Sequence, residues 1–283
     1  MPSVASITRP SRRLAALRPK TTAAAIGNKL ECASHAQLVA QKRRIPLATK
    51  YDVNTGNVAP GPTKLSLPRT LPRPVLGEVK MSPILDAYPD LAGVPAEYIR
   101  DCLPSSTPSM RAALQALSTS ELTGGLPKEL QIIMNDVVSA ACPTHMFAIY
   151  GDAPLAFGQK RHVSLFPFHH LVMGVHCAIL PTLPASQPIA TASHNTIPVV
   201  PLRVPSPETF ALLHSYMYTQ QPAILLAALA SPCESDILQL ASHATKVHGL
   251  WRNACALGVV DSSLYDVLDA SWAATIAAMQ ACS

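Results

Sequence analysis

The chain has 283 residues, 48% hydrophobic and only 14% charged, with 27 prolines, which is enough apolar material for one core of about 150–200 residues cut into many short elements. The net charge of +5 divides unevenly: residues 1–80 carry 14 Lys+Arg against 3 Asp+Glu, and residues 81–283 carry 8 against 14. A basic first part suited to an acidic surface therefore precedes a mildly acidic domain, and no apolar run is long enough for a membrane span or a secretory signal.

Residues 1–75 contain SRRLAALRPK, QKRR and a proline-punctuated stretch from Ala59 to Val75, with Tyr51 as their lone aromatic. Such a segment buries too little apolar surface to offset its ordering entropy, so a mostly disordered basic region is expected, with short helices at Ser11–Leu17 and Glu31–Ala40.

Residues 76–140 read as a helical extension. Thr107-Pro108 opens a helix whose apolar face is Met110, Ala113, Leu114 and Leu117. Gly124-Gly125 marks a connection. The spacing of Leu130, Ile133, Met134 and Val137 then predicts a second amphipathic helix over Pro127–Val138.

Residues 141–283 read as a mixed α/β interaction domain, an α+β arrangement of a small sheet and a helix cluster. Met146–Tyr150 is an apolar run ended by Gly151-Asp152, and Arg161–Phe168 alternates, with Val163 and Leu165 against His162, Ser164 and Phe166. A short helix follows from His169 to about Ile179. Ile197–Val204 alternates again, with Val200, Leu202 and Val204 on one face; Pro198 and Pro201 remove ladder donors and predict a sheet edge. Ser206 is the expected cap of a helix with Pro207 and Glu208 in its first turn and Phe210, Leu213 and Met217 inside. Ser235 is the expected cap of another, with Ile237, Leu240, Ala241 and Ala244 inward, and Gly258 ends a further short helix. The stripe from Leu264 to Met279 reads as core, or alternatively as a dimer seam. Trp251 and Trp272 read as packing anchors.

Catalytic signatures are missing: there is no GxSxG, GxxxxGK[ST] or GxGxxG. His169, His170, His176 and Cys177 come nearest to a metal cluster, but their spacing matches no standard zinc pattern. Seven cysteines without a Cys-x-x-Cys pair read as reduced, intracellular thiols. No catalytic, cofactor or metal residues are assigned, and an enzyme is not expected. Lys42-Arg43-Arg44 is a candidate nuclear import element, whereas the Arg-rich, acid-free first thirty residues equally have the composition of a mitochondrial leader. No module or stacking aromatics accompany the basic region, so sequence-specific nucleic-acid reading is not expected.

Two stretches carry a resemblance to BTB/POZ domains. Phe166, His169 and Met173 resemble the F-x-x-H-x-x-x-[LM] opening of a BTB helix. Val204, Ser206, Pro207, Glu208, Phe210, Leu213, Tyr218 and Thr219 resemble the later V-S-P-E-x-F-x-x-L-x-x-x-Y-T segment, with Pro205 inserted. The family's glycine after Tyr-Thr is replaced by Gln220, and Thr182–Thr196 is longer and richer in Pro and Ser than usual. Over residues 74–282, the phrases PVLGEVKMSPILDAYPDLAGVPAEYIR, PTHMFAIYGD and HVSLFPFHHLVM resemble the clampless-type regulators of basidiomycete fungi. That resemblance implies a non-enzymatic nuclear regulator of clamp-cell formation acting downstream of the mating-type factors. The expected partner is a transcription factor of the mating pathway, met through the exposed side of Ser206–Tyr218 and the Thr182–Thr196 loop. A cullin-ligase adaptor and a mitochondrial protein with a cleaved leader are the alternatives.

Overall fold

A computed structural model describes residues 67–119, 125–134, 141–152, 161–188, 194–230 and 236–282. The expected helices at Ser11–Leu17 and Glu31–Ala40, and the Lys42-Arg43-Arg44 element, lie outside the described residues. Residues 67–282 belong to one compact unit, of mixed α/β class with eight α-helices and five strands among the described residues. No described helix is long and apolar enough to cross a membrane.

Three short helices come first: α1 (Ser82–Ala87), α2 (Ala96–Cys102) and α3 (Thr107–Gln115). Prolines in the first turns of α1 and α3 supply a preset φ where no amide donor is needed. After α3 the chain enters β1 (Leu117–Thr119) and β2 (Glu129–Met134). The helix expected over Pro127–Val138 is therefore corrected. Its apolar run satisfies both periods, but Leu130, Ile132 and Met134 are the buried positions, a spacing of two. Val137 lies outside the described residues.

The remaining strands are β3 (His145–Tyr150), β4 (Ser164–Phe168) and β5 (His194–Arg203). The sheet order is β1-β2-β5-β3-β4, antiparallel except where β5 runs parallel to β3. The edge position expected for β5 is overturned, since it lies at the centre. Val199 N–H donates to Lys128 O and Val204 N–H to Tyr150 O, so odd amides face β2 and even ones face β3. The nitrogen of Pro198 thus faces β3 before the first paired residue, Val199, and that of Pro201 faces β2 beyond the last, Pro198. Each missing donor falls where the neighbour on that side has ended, so the prolines cost the ladder nothing.

Both faces of the sheet are buried, which explains why β3 is apolar from Met146 to Ile149 without alternation. Phe147, Ile149, Phe168, Val200 and Leu202 join the large helical core. Met146, Ala148, Ile197 and Val199 join Ala113 and the β2 side chains in a smaller one, with Val163 and Leu165 against it. Phe147 and Phe168 stack with ring centroids 3.6 Å apart.

Helices α4 (His170–His176), α5 (Phe210–Thr219), α6 (Pro222–Ala228), α7 (Ile237–Leu257) and α8 (Ser262–Ala281) cover the large core. The expected break inside α7 is absent: one helix of 21 residues runs until Gly258, whose φ of 59° ends it in the left-handed region. Asp236 caps α7 by accepting Gln239 N–H at 2.8 Å; Ser235, the expected cap, lies outside the described residues. Ile237 and Ala241 are exposed rather than inward, and the buried face is Leu240, His243, Ala244, Val247 and Leu250. The α8 stripe is core as expected, with Leu264, Leu268 and Thr275 wholly buried.

Close approach fixes α7 against the entry to α5. A Cβ added at Gly249 would collide with Ser206 Oγ and lie 2.9 Å from Ser206 Cβ. Helix propensity alone favours alanine by about 1 kcal/mol. Here Gly249→Ala is expected to destabilise by about 1–3 kcal/mol through overpacking, read as a lower urea midpoint at unchanged slope; a raised midpoint would contradict the packing.

A candidate protein-contact cleft

The residues singled out by the BTB-like pattern come together in space. Phe166 on β4 meets Phe210 on α5 edge-on, centroids 5.0 Å apart. His169, just before α4, is bound to Tyr218 near the end of α5: its backbone N–H donates to the tyrosine oxygen at 3.0 Å, and its Nδ1 lies 3.0 Å from the same atom. Tyr218 O–H donates to Nδ1, because Nε2 must carry the proton it offers to Ala141 O at 3.4 Å. Met173, Val204 and Leu213 are buried beneath these contacts. Thr219 is half-buried at the end of α5, followed by Gln220, the one non-glycine residue with positive φ (49°) among the described residues. A helix end of this kind favours glycine; here the Gln220 amide reaches the buried His176 ring instead.

Ser206 does not cap α5. Its hydroxyl donates to Glu208 at 3.2 Å, Pro207–Thr209 forms a 3-10 turn, and α5 starts only at Phe210. The turn is held by Asn253 of α7, which is wholly buried. Asn253 Oδ1 accepts Ser206 N–H at 2.9 Å, and its Nδ2 donates to Ser206 O at 2.7 Å and to Thr209 Oγ1 at 3.0 Å. Nothing in the local sequence pointed to Asn253; a polar residue on the inward face of a long helix is the signal that was available.

A cleft of about 710 Å³ opens beside this nexus, walled by the end of α1, the start of α4, His145 and the extended strip Thr182–Pro188. That strip belongs to the loop expected to meet a partner. His145 Nε2–H donates to Pro184 O at 2.8 Å, and its Nδ1 accepts from Thr144 Oγ1 at 2.8 Å. Ser186 Oγ donates to Thr144 O, and Thr144 Oγ1 also accepts His170 N–H at 2.8 Å. The strip is thereby fastened to β3 and α4. On α5, by contrast, Phe210, Leu213, Tyr216, Met217 and Tyr218 are buried, leaving only Ala211 and Ser215 fully exposed. The expected contact surface on Ser206–Tyr218 is therefore small, and the loop side carries the open space.

Burial sets the ionisation of the groups in and around the cleft. Burial lowers the pKa of His145, and takes that of His169 to about 4, so both rings are neutral at pH 7 with their nitrogens committed to the fold. The His170 ring is buried at the wall and shows no hydrogen bond to another described residue. Burial raises the Cys142 thiol, and pushes Cys177, wholly enclosed, up to about 12, the reverse of what a nucleophile needs. Among the described residues no group of three or more His, Cys, Asp or Glu is placed to hold a metal ion; His176 and Cys177 lie at the far end of α4 from His169 and His170.

Residues 74–205 match the family model of the Clampless protein 1 N-terminal domain, and residues 180–283 that of the Clampless protein 1 C-terminal domain. Over residues 74–283 the chain is similar to the clampless family. Clampless protein 1 of Cryptococcus neoformans var. neoformans serotype D, in two strains, is 29% identical to it over 93 residues, covering 28% of this chain and 20% of theirs. The match thus spans about a fifth of the length of those curated relatives. No solved structure matches. The two clampless domains share one sheet: β5 lies in their overlap and bridges β2 to β3.

Proposed function

We propose that this chain is a non-enzymatic regulator of fungal sexual development, needed for clamp-cell formation and dikaryon growth. In this reading it acts in the nucleus by binding a protein partner, a transcription factor of the mating pathway. The observation that carries the proposal is the continuous match of residues 74–283 to the two Clampless protein 1 domains. The cleft is the contact surface. Its lining is largely apolar with Asp86 and Gln187 exposed among it, and one wall is a strip fastened through His145 and Thr144, a composition that suits an inserted segment of a partner more than a reaction. A BTB/POZ-like architecture belongs to the same proposal, supported by the Phe166–Phe210 and His169–Tyr218 contacts between the two motif segments. Lys42, Arg43 and Arg44 are its import element.

Deleting the gene in both mating partners is expected to give dikaryotic hyphae without clamps, restored by the full chain. Normal clamps after deletion would overturn the reading. A tagged chain with Lys42, Arg43 and Arg44 changed to Ala is expected to lose nuclear signal, and a mitochondrial signal indifferent to the change would contradict the nuclear assignment.

A further inference from the structure

Residues 67–74, LPRTLPRP, fall in the region expected to be disordered, yet they are seated on α7 and α8. The chain has two tryptophans, and both serve this contact. Trp272 Nε1–H donates to Pro68 O at 3.0 Å, and Trp251 Nε1–H to Pro72 O at 3.1 Å. His248, one turn before Trp251, stacks on that indole at 5.5 Å and leans on Trp272 at 6.0 Å, joining the two into one aromatic wall. Between the two carbonyls, Leu71 is 4% exposed and enters the large core. Arg73 bonds Asp269 at 3.0 Å and also Asp266, both on α8. Beyond the seat the segment lifts away, with Val75 98% exposed.

These contacts form a recognition pattern. A proline-rich strand makes no hydrogen bonds of its own, so its carbonyls are free for indole donors, and its stiffness lowers the entropy lost on docking. The donors meet carbonyls four residues apart, an apolar pocket takes the leucine between them, and paired carboxylates select an arginine one residue on. The negative charge of the wall complements a basic ligand. The charged pair is exposed and so contributes little, leaving the segment held mainly by one buried side chain and two hydrogen bonds.

We infer that the α7–α8 surface is a docking site for proline-rich, arginine-bearing segments of the pattern Pro-x-x-Leu-Pro-Arg, and that residues 67–74 occupy it in cis until a partner protein's segment of the same chemistry displaces them. The site is distinct from the cleft and does not depend on it.

Both tryptophans line the site, so intrinsic fluorescence reads it directly. A synthetic peptide of residues 67–76 is titrated into the full chain and into its Arg73→Glu variant, whose own segment the two aspartates repel. Saturable quenching or shift is expected in both, with severalfold tighter binding to the variant because the tethered competitor is weakened. A peptide carrying Leu71→Ala and Arg73→Ala is expected to give no saturable signal. Equal binding by that control peptide, equal affinity for the two chains, or no saturation with either would overturn the inference. Circular dichroism establishes that the variant is folded, and if it is not, selectivity of the wild-type chain for the native peptide over the control decides the question.

Discussion

Asn253→Ala is expected to lower the stability of the chain by about 3 kcal/mol, the largest effect of a single side chain outside the apolar core. The substitution removes three hydrogen bonds at once and strands the Ser206 N–H without an acceptor in a site where Asn253 is wholly buried. Each bond contributes about 0.5–1.5 kcal/mol net, and a buried donor left unpaired costs about 1–3 kcal/mol. For a unit of this size the melting temperature should fall by roughly 6–12 °C. Asn253→Asp is expected to do no better, since it keeps the acceptor for Ser206 N–H but turns a carboxylate oxygen toward Ser206 O. The loss reaches the cleft, because the Ser206–Thr209 turn launches α5, and α5 delivers Tyr218 to His169. A melting temperature within a degree or two of wild type would show that the turn holds without α7.

Acid is expected to unfold the chain well before its carboxylates are fully protonated. His169 and His176 are almost wholly buried, and each has its pKa lowered to about 4. For His169 burial is the cause, opposed by the Ala141 carbonyl; for His176 it is burial, then the charge of Arg100, opposed by Asp261. Unfolded, both return to about 6.5. With the folded values depressed, the unfolded chain binds protons first. The full stability is present above pH 6.5 and is lost as pH falls toward 4, at up to about 1.4 kcal/mol per pH unit for each ring. At pH 4 the two together remove on the order of 6 kcal/mol, comparable with the whole stability of many domains. Urea midpoints taken from pH 7 to 4 should fall steadily below 6.5. A flat profile down to pH 4.5 would mean that the rings are not held neutral. Replacing His176 by Gln should shift the fall to lower pH.

Strands were legible in the sequence where an apolar run or a period of two stood alone: Met146–Tyr150 lies on β3, and Arg161–Phe168 and Ile197–Val204 overlap β4 and β5 from Ser164 and up to Arg203. The helix from Leu264 to Met279 was equally plain, because its apolar stripe has no competing period. Leu130–Met134 was misread because adjacent β-branched and straight apolar residues satisfy both periods, and only pairing with β5 chooses between them. The prolines of β5 misled for a related reason: a missing donor matters only if a neighbour stands opposite, and strand ends are not written locally. Phe166, His169, Phe210 and Tyr218 meet in the fold, yet what joins their segments is not written in either of them. Asn253, His145 and Thr144 act through partners 26 to 47 residues away, beyond the reach of any local pattern. The seat of residues 67–74 was hidden for the same reason, since composition reports a weak core but not a groove whose contacts lie 179 to 204 residues downstream.

The cleft beside His145 and His170 is the proposed partner surface. Its most direct test is the count of clamp cells on dikaryons whose only copy carries Ala87→Arg and Ala185→Arg, two exposed cleft-wall positions outside the core. The protein is expected to be present at wild-type level with an unchanged melting temperature, and clamps are expected to be lost. Clamps at wild-type frequency in those dikaryons would contradict the assignment of the cleft.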